Sequence, residues 1–238
     1  MSNSITIKNK IGKFNKTIHV SGDKSISIRW VLFSSLAKGV SKAKNLLISD
    51  DVLTAIKAIK KLGIKSTIKK NECKIYGKGF NGYQYKKNLT INSENSGTLG
   101  RLLLGLLINT PNKIKITGDK SLSKRDFKRV SDPLSKFGAK FKLKKNKNLP
   151  LSIIGCSKLK PINYIEKKGS AQCKSAVIFG AMRSEGTTTI KAKKSRNHTE
   201  LLCKYLNLPV KVKNKKNHDE IKISKVNFIK PLIYNIPS

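Results

Sequence analysis

Three short polar clusters in this 238-residue chain stand where a strand-like run gives way to an apolar helix: SGDKSISIR from Ser21, NSGTLGR from Asn95 and GSAQCKS from Gly169. Each pairs hydroxyl or amide side chains with a Lys or Arg. A helix start already offers unpaired backbone N–H groups and the positive end of the helix dipole, so this is chemistry for gripping anions. In the first cluster Lys24 and Ser25 sit at the helix entry and Arg29 lies one turn on, on the same face, a group able to hold a carboxylate or phosphate. A solvated Lys and a capping Ser are the plainer alternative. In the second, Gly97 lets a ligand approach the backbone, Thr98 caps or donates, and Arg101 falls on the first turn, although the glycine also suits a turn. The third offers Ser170, Ala171 and Gln172, uncharged donors suited to sugar-like hydroxyls or phosphate oxygens, with capping as the alternative for Ser170.

Arg125 and Arg196 each stand just before a further helix, and six Arg among 51 basic residues leave 45 Lys, so each arginine is informative. Planar, bidentate anion binding is a task Lys performs poorly. The formal charge of +38 suits a nucleic-acid binder, but with aromatics at 6% and Lys scattered rather than gathered on one face, most of that charge reads as solvated surface. Asp50 and Asp51 read as an N-cap and a first-turn acid, and His198 with Glu200 as helix-start residues. Cys73, Cys156, Cys173 and Cys203 are widely spaced and form no metal or disulfide pattern; Cys173 reads as a small buried thiol. No polar cleft with a general acid or base is evident.

The elements that must position these clusters repeat. DDVLTAIKAIKKLGIK from Asp50, RDFKRVSDPLSKFGAK from Arg125 and NHTELLCKYLNLPVK from Asn197 are amphipathic helices ending at Gly63, Gly138 and Pro209, 75 and then 71 residues apart. Each runs into β alternation at Ile64–Lys69, Lys140–Leu143 and Val210–Lys213. The fold expected is α/β: one pseudo-threefold lobe of three βαβαββ units, roughly 20–86, 87–160 and 161–231. The apolar helices Ser27–Ala37, Gly97–Ile108 and Ala171–Met182 belong inside, which brings three helix starts to one side. Residues 1–19 precede the first unit, and Ile5–Ile7 has the pattern of a strand without a partner in the repeat. Lys145–Lys147 and Lys211–Lys216 read as hairpin loops. No apolar run has membrane-spanning or secretory length, so a cytoplasmic protein is expected.

SGDKSIS with Arg29, ISDDV at 48–52, NSGTLGR at 95–101, GDKSLSKR at 118–125, GSAQCKSA at 169–176 and SRNHTE at 195–200 together resemble the signatures of the 5-enolpyruvylshikimate-3-phosphate synthases, the 3-phosphoshikimate 1-carboxyvinyltransferases. The resemblance implies a two-lobed enzyme, about twice this long, in which the present chain supplies the N-terminal lobe and residues 1–19 belong with the other. It implies transfer of the enolpyruvyl group of phosphoenolpyruvate to the 5-hydroxyl of shikimate 3-phosphate, with no metal or organic cofactor, in a protein monomeric when complete. Carried over by position, Lys24, Ser25, Arg29, Ser170, Ala171, Gln172 and Arg196 hold shikimate 3-phosphate. Lys24, Asn95, Gly97, Thr98, Arg125 and Gln172 hold phosphoenolpyruvate, Lys24 is also catalytic, and Arg101 has a supporting role. The resemblance further implies that the isolated chain lacks the proton-transfer acids, so a separate C-terminal-lobe polypeptide is a possible partner. Departures from the pattern include Ile28 and Trp30 flanking Arg29, Asp126 after Arg125, and Asn197; the Trp30 ring, next to the anion-gripping Arg29, is expected to crowd a tightly packed helix. The related UDP-N-acetylglucosamine enolpyruvyl transferases, a basic nucleic-acid-binding protein and an inactive fragment are the alternatives.

Overall fold

Buried apolar faces dictate the arrangement in the computed structural model, which describes residues 4–6, 8–10, 12–13, 15, 17–18 and 20–238. The first unit runs α1 (Lys24–Leu36), β1 (Lys38–Lys44), α2 (Asp50–Lys61), β2 (Lys65–Lys69) and β3 (Glu72–Lys78). The second runs β4 (Leu89–Asn92), α3 (Gly97–Leu107), β5 (Ile114–Thr117), a 3-10 turn at Leu122–Lys124, α4 (Lys128–Ser135), β6 (Lys140–Lys144) and β7 (Asn148–Ile154). The third comprises β8 (Asn163–Glu166), α5 (Ala171–Ala181), β9 (Thr187–Lys193), α6 (His198–Tyr205), β10 (Val210–Asn214) and β11 (His218–Ser224), and β12 (Ile233–Asn235) follows.

Three four-stranded sheets share one plan, in the orders β12-β1-β3-β2, β4-β5-β7-β6 and β8-β9-β11-β10. In each, the first pair is parallel and the other two are antiparallel. Parallel neighbours need a crossover, which α3 supplies between β4 and β5 and α5 between β8 and β9, whereas α1 leads into β1 without joining it to β12. A complete first unit within 20–86 is therefore corrected: its leading strand is β12, where Lys42, Ala43 and Lys44 lie opposite Ile233, Tyr234 and Asn235. Ile5 and Thr6 belong to no strand, and Ile7 lies outside the described residues.

Helices α1, α3 and α5 form the interior. Trp30, Phe33, Leu103, Leu107, Val177 and Phe179 are all essentially inaccessible. Helix α3 meets α5 so closely that a Cβ on Gly105 would stand 2.1 Å from the Ala176 carbonyl oxygen, a crossing no other residue permits. The Trp30 ring of α1 is fully buried in the apolar core. Two local expectations also change. Asn207, in the left-handed region at φ +52°, ends α6 two residues before Pro209, as Gly63 and Gly138 do after α2 and α4. Lys211 and Lys213 belong to β10, so the hairpin loop after it is shorter than the lysine run. Among the described residues no helix is long and apolar enough to cross a membrane.

Candidate functional site

Each core helix begins with a side-chain cap that aims its first turn outward. Asp23 Oδ1 accepts from Ile26 N at 2.7 Å, Ser96 Oγ from Leu99 N at 3.4 Å and Ser170 Oγ from Cys173 N at 3.2 Å. Helix α1 thus starts three residues earlier than expected, with Lys24 and Ser25 inside its first turn. At the third start the buried Glu166 carboxylate, closing β8, accepts from Ser170 N at 2.8 Å and Lys168 N at 3.2 Å, which folds the 167–170 loop back over the strand end.

The three starts meet in two contiguous depressions. One, of about 620 Å³, is lined by Lys24, Ser25, Arg29, Thr98, Ser170, Ala171, Gln172 and Arg196, with Asp23, Gly169 and Ser195. The other, of about 510 Å³, is lined by Lys24, Asn95, Gly97, Thr98, Arg125 and Gln172, with Ser49, Asp50 and Asp51. Lys24, Thr98 and Gln172 border both. A separate hollow of about 530 Å³ around Tyr205, Pro209 and Phe228 holds none of these residues.

Arg29 has a role that spacing could not disclose. It is 1% exposed, and its guanidinium donates to Thr199 Oγ1 at 2.7 Å, Ser175 Oγ at 2.9 Å, Ser25 O at 3.1 Å and Ser25 Oγ. These bonds tie α1 to α5 and α6 and fix the Ser25 hydroxyl at the cavity wall. Burial lowers its pKa to about 10, with Arg196 adding to the effect and Glu200 and Asp23 opposing it, so it remains charged at neutral pH. Sequence patterns carry no signal for Ser175 or Thr199, which meet Arg29 only through tertiary packing.

One acidic reading is corrected, and two first-turn acids gain partners. Asp50 is not the N-cap of α2; Ser49 holds that position, and Asp51 forms an ion pair with Lys24 at 2.7 Å across the mouth of the cleft. Glu200 stands in the first turn of α6 as expected, and there it is buried and pairs at 2.7 Å with the fully buried Lys174 of α5. His198 Nδ1 lies 3.7 Å from Asp23 Oδ1, and burial holds its pKa below the usual value. Cys173 is buried with its pKa raised, chiefly by desolvation, which leaves it an unreactive thiol.

On the opposite wall, Arg101 Nη1 donates to Gln172 Oε1 at 2.7 Å while Gln172 Nε2 donates to Thr98 Oγ1 at 3.0 Å. The Arg101 guanidinium lies over the Phe127 ring, 5.0 Å from its centroid. A Cβ on Gly97 would stand 3.0 Å from Arg101 Nη1 and 3.1 Å from Arg125 Nη1, so the glycine leaves room for two guanidinium groups. Cations, oriented amides and hydroxyls converge here around the two depressions.

The family model for EPSP synthase (3-phosphoshikimate 1-carboxyvinyltransferase) matches residues 8–232. The chain belongs to the EPSP synthase family. It is 43% identical over 201 residues to the 3-phosphoshikimate 1-carboxyvinyltransferase of Caldicellulosiruptor bescii, a match covering 84% of this chain and 46% of that protein. Against the Sulfurihydrogenibium enzyme of the same name it is 38% identical over 235 residues, 98% of this chain and 54% of the relative. The solved EPSP synthase of Acinetobacter baumannii superposes with a TM-score of 0.85 at 31% identity, covering 93% of this chain and 49% of that one. The chain thus spans about half the length of the EPSP synthases it matches, and the mixed α/β, three-sheet lobe expected from its repeats is the fold it shares with them.

Proposed function

We propose that this chain supplies the N-terminal contacts for transfer of the enolpyruvyl group of phosphoenolpyruvate to the 5-hydroxyl of shikimate 3-phosphate. The observation that carries the reading is the shared border: Lys24, Thr98 and Gln172 line both depressions, so ligands in the two lie side by side. Shikimate 3-phosphate is assigned to the first, with Arg196, Ser170, Ala171 and Gln172 on phosphate and ring, and Lys24 and Ser25, braced by Arg29, at the other end. Phosphoenolpyruvate is assigned to the second, against Lys24, Arg125, Asn95, Thr98, Gln172 and the bare Gly97 backbone.

In the proposed reaction the 5-hydroxyl oxygen bonds to the enol carbon while the methylene carbon gains a proton and the hydroxyl loses one. The adduct then expels phosphate, its methyl group gives a proton back, and the enol ether remains. Lys24 and Arg125 offset the charge carried by the phosphoenolpyruvate phosphate and the leaving phosphate, and the paired depressions convert an encounter of two anions into a positioned one. Proton transfer is assigned to groups contributed by a second lobe, borne on a separate polypeptide if not on this one. Asp51, paired with Lys24, sits beside the reacting space.

Calorimetric titration tests the assignment. Shikimate 3-phosphate is expected to bind more tightly than shikimate, and Arg196→Lys to weaken it by about 1–3 kcal/mol through loss of a bidentate contact. Equal binding of the two ligands, or an Arg196→Lys variant with unchanged affinity, overturns the assignment. Phosphate release with both substrates is expected only when a second-lobe polypeptide is added, and Lys24→Ala is expected to abolish it.

A further inference from the structure

We infer that Arg101 is a positioning residue that decides which end of the Gln172 carboxamide faces bound anions; the inference rests on the reading of the cleft given above. An arginine has only N–H donors, so the Gln172 atom 2.7 Å from Arg101 Nη1 is the carbonyl oxygen. Nε2 is thereby turned the other way, to Thr98 Oγ1 at 3.0 Å. Its two hydrogens exceed what Thr98 accepts, and the second is left for the space that both depressions share. With the carboxamide rotated by half a turn, a carbonyl oxygen would meet the phosphate or carboxylate, and attraction would become repulsion.

Arg101 is itself restrained. Its Nη1 also reaches Gly97 O at 3.4 Å and its Nη2 reaches Asp126 O at 3.3 Å, while Phe127 supports the guanidinium plane. Arg101 stands on α3 and Gln172 on α5, so the orientation is set between two units. It is not a local property of the Ser170–Gln172 segment. The asymmetry matters because an unrestrained glutamine carboxamide samples both orientations before an anion binds; fixing the donor end beforehand removes that entropic cost.

The test compares wild type, Arg101→Met and Arg101→Lys by titration with shikimate 3-phosphate and phosphoenolpyruvate, with the Gln172 side-chain amide followed by NMR and identified by its loss in Gln172→Asn. In wild type one Gln172 amide proton is expected to move downfield on binding. Arg101→Met is expected to lose about tenfold in affinity, close to the strength of one charged hydrogen bond, and to lose that shift while the backbone spectrum is retained. Arg101→Lys, which keeps a charge and a donor, is expected to fall between the two. It serves alone if the Met variant does not fold, and wild-type affinity with an unchanged amide shift in either folded variant overturns the inference. If wild type binds neither ligand, the reading of the cleft falls, and the role of Arg101 with it; if wild type binds and the variants match it, only the role of Arg101 falls.

Discussion

The first and third units build the same parallel strand pair from very different stretches of chain. In the third, β8 ends at Glu166 and α5 opens at Ala171, so strand, loop and helix start are neighbours in sequence. In the first, the strand beside β1 is β12, and Lys44 lies opposite Asn235. The end of the chain also reaches the site, since Asp23 N donates to Pro237 O at 2.7 Å and Asn45 Nδ2 to Ile236 O at 3.1 Å. The cap that aims Lys24 and Ser25 is thus held by residues more than two hundred positions away, while the loop that aims Ser170 is held by Glu166, four positions away. One unit closes locally and the other only when residues 233–237 have joined it.

Their ion pairs differ in the same sense. Lys24 and Asp51, in the first unit, are 55% and 23% exposed at the side chain, whereas Lys174 and Glu200, in the third, are 0% and 6%. The exposed pair is available to ligands and contributes little to stability. The buried pair contributes nothing directly to the cleft, but it locks α6, which carries Thr199, against α5, which carries Ser175.

The sharpest test of this contrast sets Ile236→Asp against Ile165→Asp. Ile236 is fully buried and Ile165 is 60% exposed, although each lies in or just beyond the leading strand of its sheet. Ile236→Asp is expected to cost on the order of 4 kcal/mol in urea unfolding and to remove anion binding at Lys24, with Ile165→Asp staying within about 0.5 kcal/mol. Comparable losses in the two variants would mean that β12 is not what closes the first unit.

Breaking the two ion pairs comes next in size. Lys174→Met leaves the Glu200 carboxylate buried and unpaired and is expected to cost about 3–5 kcal/mol; Lys174→Met combined with Glu200→Leu is expected to recover most of it. Asp51→Asn is expected to change stability by less than about 1 kcal/mol. A smaller loss, about 2 kcal/mol, is expected for Arg29→Lys, because a single ammonium cannot span Thr199, Ser175 and Ser25 together. If Arg29→Lys unfolds at the wild-type urea midpoint, the first and third units are not coupled through that guanidinium.

The smallest effect concerns pH. Burial depresses the folded-state pKa of His198 below its ordinary 6.5. The unfolded chain therefore takes up this proton first as pH falls, and the histidine contributes stability above about 6.5 that is lost as pH drops through the depressed folded value. His198→Gln is expected to flatten the decline of melting temperature over that acidic window and to leave it unchanged at pH 8. A wild-type slope in the variant assigns the decline to other groups.

The sequence by itself determined the repeat, the buried helices and the residues bordering the cleft, because these depend on local patterns: apolar periodicity, helix stops at Gly63 and Gly138, and polar clusters placed at helix starts. It also singled out Arg125 and Arg196, since arginine is rare in a chain that otherwise uses lysine. What only the tertiary structure decided are the relations between distant segments. Ile233–Asn235 closes the first sheet because a parallel edge accepts any strand of matching register that reaches it, and nothing in the pattern of that strand names its neighbour. Arg29 serves as a brace, Glu200 as half of a buried pair, and Asp51 as the partner of Lys24 for the same reason. The strength and meaning of a hydrogen bond or ion pair depend on burial and on which groups meet across the core, and both are set by packing rather than by spacing along the chain.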